Sequence, residues 1–437
     1  MNPALRPAVA RPASAAYFIP NVLALAVGIG VILALEQNAL PGWLVSIPYR
    51  ALLPCAAIML VIATSEWLQR RRRGAELPSF AATALRPLSW RRIGLRLWGF
   101  AATLLLLGLA YALFSEYSGS FYFPYWLFLE SLAPLLALVP FYFMFADAYA
   151  RDPEDEYVQF GRMLCGRWHS MDRSILKRHL LGWLVKGYFL PLMAVYLSSD
   201  LDLVLGLVRQ HGLGALTRYD VWFQLAYTID LLFCVIGYTA STRLLDSHMR
   251  SVEPTMLGWV VALICYQPFY SVIGRFYLQY EGRLFWDTWL GPWPMVRTAW
   301  GAAIIVLSLT YSLSTVAFGL RFSNLTHRGI ITGGPYRFSK HPAYLSKNLS
   351  WWLISVPFVV ANDVPTTLRH CAALLLLNGI YWLRARTEER HLSRDPVYVN
   401  YALWMNDNGI LRTLGRWCPL LRFKAPAGGA PAVSTSP

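Results

Sequence analysis

Apolar runs of roughly twenty residues recur along the chain, separated by short polar connections. That length spans the hydrocarbon core of a bilayer as a helix. Runs near 17–36, 47–66, 95–114, 124–147 and 180–198 come first, then 222–241, 256–274, 298–319, 345–361 and 366–383. The pattern predicts an all-α, polytopic integral membrane protein with about ten transmembrane helices.

The polar connections are not alike. Residues 68–92 carry Arg70, Arg71, Arg72, Arg73, Arg86, Arg91 and Arg92 against Glu76 alone, whereas 37–46, 115–123 and 362–365 have no Lys or Arg. Basic loops stay on the cytoplasmic side, so an even number of spans predicts both termini in the cytoplasm, across the inner or plasma membrane in a bacterium. Residues 151–179 mix basic and apolar positions, as a helix on the membrane surface would. Residues 275–297 gather aromatics, as an element at the outer interface would. Beyond Lys424 the small, Pro- and Gly-rich composition predicts a disordered tail over 425–437.

Composition agrees with the pattern. The 437 residues are 56% hydrophobic and only 14% charged, with a net charge of +15 and a mean hydropathy of +0.40. Soluble domains carry about 25% charge. The basic residues sit between apolar runs, which argues for loop orientation rather than nucleic-acid binding. Six cysteines stand apart with no CxxC or Cys/His spacing, which supports neither a disulfide framework nor a metal site. Arg6 and Arg11 precede the first apolar run, whose Pro-rich start and length suit a retained anchor better than a cleaved signal. Glu130, Lys186 and Asp230 are ionisable residues within runs. Each either lines a cavity or forms a structural pair.

Two polar clusters carry the chemistry. The first, GGPYRFSKHPAYLSKNLSWW over Gly333–Trp352, brings a glycine pair, two prolines and basic residues to the start of an apolar run. Irregular polar backbone at such a place is tolerated where it lines a site. Helical spacing sets His341, Tyr344, Leu345 and Asn348 on one face. The second, RARTEERHLSRDPVYVNY over Arg384–Tyr401, follows the next run. Glu388 and Glu389 there oppose the helix dipole unless neighbouring arginines or a bound cation compensate. A four-residue connection, Asn362–Pro365, predicts an antiparallel hairpin that returns the second cluster to the first.

Together GPYRFSKHPAYL, one hairpin and EERHLSRDPVYVNY resemble the isoprenylcysteine carboxyl methyltransferase family and the related phospholipid N-methyltransferases, over about residues 320–405. The resemblance implies an S-adenosylmethionine-dependent membrane methyltransferase acting on a lipid or lipid-modified acceptor. It assigns Gly334, Pro335, Tyr336, Arg337, His341, Pro342 and Tyr344 to one wall of the cofactor site and Glu388 and Glu389 to the other, with Arg337 and His341 nearest the chemistry. Arg321, Lys347, Asn348 and Arg394 are the candidates for substrate, and the abundance of arginine favours a carboxylate or phosphate acceptor over an amine. Residues 1–319 then form a multi-span region of unknown role before a methyltransferase-like module at 320–424. Ser346 stands where the family often has glycine. Two alternatives remain: a nicotinamide-dependent reductase of the sterol-reductase type, whose pattern differs from Ala343 and Ser346-Lys347, and a lipid transporter without chemistry, for which internal repeats are lacking.

Overall fold

The computed structural model describes residues 10–37, 47–81, 86–170, 172–277, 284–360 and 363–425. All but two two-residue strands of its regular structure is helical. The helices are α1 (Phe18–Glu36), α2 (Ile47–Arg72), α3 (Trp90–Leu113), α4 (Phe123–Leu132), α5 (Val139–Tyr149), α6 (Glu156–Leu164), α7 (Arg173–His211) and α8 (Tyr219–Thr239). There follow α9 (Met256–Leu263), α10 (Phe269–Tyr277), α11 (Trp286–Trp289), α12 (Pro294–Val316), α13 (Pro342–Ser355), α14 (Val364–Leu392), α15 (Pro396–Asn408) and α16 (Arg412–Trp417). Among the described residues, seven segments are long and apolar enough to cross a membrane: α1, α2, α3, the α4–α5 unit, α7, α8 and α12.

The other three expected spans differ for identifiable reasons. Residues 256–274 do not form one helix. The chain breaks between α9 and α10, where Pro268 lacks the N–H that a continuing helix needs. Helix α13 has 14 residues, about 21 Å at 1.5 Å per residue, short of a 30 Å hydrocarbon core. Helix α14 is longer, at 29 residues, and Arg369 and His370 interrupt its apolar surface.

The largest core cluster joins α1, α2, α4, α7 and α8 through residues such as Ile58, Phe189, Leu197 and Phe233. Between α3 and α6 the helices meet backbone to backbone. A Cβ at Gly99 would lie 2.2 Å from the Tyr157 carbonyl oxygen, and one at Gly161 equally close to that of Leu95. Residues 151–179 therefore contribute a helix that packs on α3 with Val158 and Phe160 buried.

No seam separates residues before and after 320. Arg321 pairs with Glu66 of α2 at 2.5 Å, Asn324 Nδ2 donates to the Tyr238 hydroxyl of α8 at 3.0 Å, and the Thr332 N–H reaches Ser14 Oγ at 3.1 Å. A two-residue antiparallel ladder ties Ser251–Val252 to Thr326–His327. The tail expected over 425–437 lies, after Ala425, outside the described residues.

Candidate functional site

Helices α13 and α14 run antiparallel, as matched pairs along their length demonstrate. Trp352 Nε1 donates to Asn378 Oδ1 at 2.8 Å, Asn378 Nδ2 donates to Asn348 Oδ1 at 2.8 Å, and the Tyr344 and Tyr381 rings meet edge to face at 5.4 Å. The last matched pairs bring the two polar clusters together. The Tyr344 hydroxyl donates to Glu388, and His341 Nε2 lies 3.3 Å from Glu389 Oε1.

Local chemistry explains the approach. Pro342 starts α13 at the first helical position, where its missing N–H costs nothing. Just upstream, Gly334 has φ +58°, and a Cβ there would lie 2.6 Å from the Phe18 ring of α1. Only glycine meets both conditions. The Gly334–Arg337 turn is held from the other side by α15, where the Tyr401 hydroxyl donates to the Tyr336 carbonyl at 2.7 Å.

Each glutamate faces a different set of cations. Lys340 Nζ lies 2.7 Å from Glu389 Oε1 and Arg386 Nη1 2.8 Å from Glu389 Oε2. Burial pushes the Glu389 carboxyl up, but His341 and Lys340 outweigh it and hold the carboxyl at about 2. Glu388 is less enclosed. Its neighbours are His341 Nδ1 at 3.8 Å and Arg384 Nε at 3.5 Å, both beyond hydrogen-bond length. Arg384 itself is buried, donates to Asn324 Oδ1 at 2.7 Å, and lies 5.1 Å from the centroid of the Tyr344 ring.

Behind these residues lies a cavity of about 150 Å³, lined by Tyr336, His341, Tyr344, Lys347, Glu388 and Arg321 among others. Glu389 and Asn348 instead line a second cavity of about 360 Å³ across the hairpin, which His341 and Tyr344 share. Those two side chains, with Lys340 and Tyr381, thus form the partition between the cavities, the His341 and Tyr344 rings stacked with centroids 5.5 Å apart.

Not every expected residue arrives there. Arg337 and Arg394 are exposed and line neither cavity, nor do Gly334, Pro335 and Pro342, which shape the turn. Arg321 borders the first cavity but is already committed to Glu66 at 2.5 Å and Asp246 at 3.5 Å. Lys347 has no carboxylate within ion-pair distance among the described residues and lies over the Tyr311 and Trp351 rings at 4.9 and 5.5 Å. Asp230 accepts hydrogen bonds from Tyr311 and Thr315 in the interior, Glu130 is exposed on α4, and Lys186 lines a separate cavity.

Arg328 is a contributor that helical periodicity could not reveal. Only 2% exposed, it donates to the carbonyls of Ser247 at 2.5 Å, Gly237 at 2.7 Å and Phe322 at 2.7 Å. Its Nη2 finds no acceptor among the described residues. Burial pushes its pKa down to about 9, which still leaves it charged at neutral pH. It borders the first cavity from the polar run SNLTHRGIITGG, whose composition was the available signal. Tyr266, at the break between α9 and α10, borders it too. Irregular backbone between two short helices thus lines a cavity. Set against known proteins, the chain matches no family model, no curated protein and no solved structure.

Proposed function

We propose that the protein is an integral membrane methyltransferase that uses S-adenosylmethionine and acts on a lipid or lipid-modified acceptor with a carboxylate or phosphate group. The observation that carries this reading is the junction of the two motifs. The GPYRFSKHPAY segment and the Glu388–Glu389 pair, 44 residues apart from Tyr344 to Glu388 along the chain, meet through the Tyr344–Glu388 and His341–Glu389 contacts.

The side chains suit such a cofactor. An amino acid moiety needs an anionic partner for its ammonium and a cationic one for its carboxylate. Glu388, with its incomplete hydrogen bonding, serves the first, and the buried cations Arg328 and Arg384, the latter 3.5 Å from Glu388, serve the second. Tyr344 and Tyr266 offer aromatic faces to a cation. Bound there, S-adenosylmethionine supplies an electrophilic methyl group on a sulfonium. The protein contributes proximity and exclusion of water. Lys347 orients an anionic acceptor and balances its charge, so no general base is required. In this reading the donor reaches this end of the hairpin from the cytoplasmic side, where basic connections stay, and an amphiphile enters between the helices from the bilayer.

Calorimetry with S-adenosylhomocysteine on the purified protein tests the assignment. Glu388→Gln/Glu389→Gln should weaken binding at least about tenfold, the worth of one charge-assisted hydrogen bond. Undiminished affinity in a folded double variant would remove the cofactor site from this place.

A further inference from the structure

A third cavity, of about 300 Å³, lies away from the hairpin among α3, α5, α7 and the end of α8. Its polar wall is unlike that of a structural ion-pair cluster. Asp155 is fully committed to Arg96 at 2.8 Å. That leaves Glu156 as the one carboxylate facing three cations: Arg178 at 3.0 Å, Arg243 at 2.7 Å, and Lys186, which has no carboxylate within ion-pair distance among the described residues. Lys186 rests over the Trp183 ring at 4.7 Å. Positive charge is therefore in excess in a place where leaving it uncompensated is costly.

Hydrogen-bonding capacity is in excess as well. Arg178 Nε, Thr239 Oγ1 and His248 Nδ1 are buried at the same wall and have no partner among the described residues. Buried polar atoms are normally satisfied, and here three from three different segments face one space. The group that would meet them needs several acceptor oxygens and at least one negative charge. A phosphate ester has both, and the planar guanidinium edges of Arg178 and Arg243 suit its geometry.

The remaining wall is aromatic, from Phe100, Tyr142, Phe143 and Tyr157. Beside it, on the same helices, Trp98, Phe141 and Leu184 are more than half exposed. These flanks belong to membrane-length segments, where such side chains face acyl chains. From this combination we infer that the cavity is a binding site for a lipid with a phosphate headgroup, the phosphate between Lys186, Arg178 and Arg243 and the chains along α3, α5 and α7. The site stands independently of the methyltransferase reading and gives the N-terminal spans a role of their own.

Titration of the full-length protein in maltoside micelles with fluorescent dioleoylphosphatidic acid tests it. Saturable binding is expected, weakened about tenfold or more by Lys186→Met, which removes one charged donor at nearly constant volume, and retained within about threefold by Lys186→Arg. Competition identifies the source of the phosphate. Unlabelled phosphatidic acid should displace the probe, whereas inorganic phosphate should do so only at far higher concentration. Displacement by the two at equal concentrations would overturn the lipid assignment in favour of a free phosphate site. Equal binding by wild type and a folded Lys186→Met, or displacement by dioleoylglycerol, which has no phosphate, would overturn the site altogether. Should Lys186→Met fail to fold, Thr239→Val takes its place, with a loss of about threefold expected and an unchanged affinity counting against the site.

Discussion

Two buried charge clusters invite comparison: Arg96 with its carboxylates near the start of α3, and Glu388–Glu389 at the end of α14. Arg96 is fully buried and uses each face of its guanidinium. Nη1 meets Asp147 at 2.8 Å, Nε meets Asp155 at 2.8 Å, and Nη2 meets the Pro153 carbonyl at 2.5 Å. Asp147 in turn accepts from Arg92 at 2.8 Å and from the Ser89 N–H at 2.8 Å. Every partner is close and none borders an opening of the size found at the hairpin, apart from Asp155 at the rim of the third cavity. At the hairpin, by contrast, Glu388 is met closely by the Tyr344 hydroxyl, while its basic neighbours Arg384 and His341 stand at 3.5 and 3.8 Å, and it lines a cavity. Saturated contacts mark a cluster that holds the fold, and contacts left long beside a cavity mark one that can exchange a neighbour for a ligand.

The largest expected effect comes from breaking the saturated cluster. Arg96→Met leaves Asp147 and Asp155 buried with fewer partners, and removal of one member of a buried network costs about 3–5 kcal/mol. A large drop in the thermal unfolding midpoint in detergent, or failure to accumulate in the membrane, is the expected outcome. A variant as stable as the parent would show that the two clusters do not differ as described.

Glu389 sits between these extremes and sharpens the contrast through pH. Its carboxyl is lowered from 4.5 to about 2, so the folded state holds its proton less tightly than the unfolded state. The resulting stabilisation is present above about pH 4.5 and is lost as pH falls towards 2. It amounts to roughly 3 kcal/mol, taking about 1.4 kcal/mol for each unit. Glu389→Gln should therefore be less stable at pH 7 and show a flatter stability profile between pH 4.5 and 3, measured by thermal unfolding. A profile that stays parallel to the parent's would mean that Lys340 and His341 do not hold this carboxylate.

Much of this was legible in the sequence, and for physical reasons. Apolar length alone located the seven membrane-length segments, because a helix must satisfy its backbone internally in lipid. The short link before Thr366 and the two polar clusters were enough to anticipate that Tyr344 and Glu388 would meet. Less legible were features that depend on three-dimensional neighbours. The break before Phe269 turns a run that reads as one span into two short helices around Tyr266. The glycines Gly99 and Gly161, unremarkable in composition, allow α6 to press on α3 and draw residues 151–179 into the bundle. Arg328 was hidden because its partners are backbone carbonyls, which no side-chain pattern records. Lys186 was visible as an ionisable residue inside a run, but part of its surroundings comes from segments more than fifty residues away on either side, such as Phe100 and Arg243.

Arg337 provides the smallest expected effect and a strict test of how far motif membership equates with participation. The sequence places it inside GPYR, next to Tyr336, and the resemblance assigns it to the cofactor wall and the chemistry. In the structure it is exposed and borders neither cavity, on the outer side of a turn whose inner side is fixed by Gly334 against Phe18 and by the Tyr401 hydrogen bond. An exposed side chain without a buried partner contributes within about 0.5 kcal/mol to stability. Arg337→Ala should therefore change S-adenosylhomocysteine affinity by less than about twofold, while Tyr344→Phe, which removes the hydroxyl bonded to Glu388, should change it severalfold. If Arg337→Ala were instead the more damaging of the two, the turn would have to rearrange on ligand binding and bring the guanidinium inward. The division between residues that shape the turn and residues that face the cavity would then have to be redrawn.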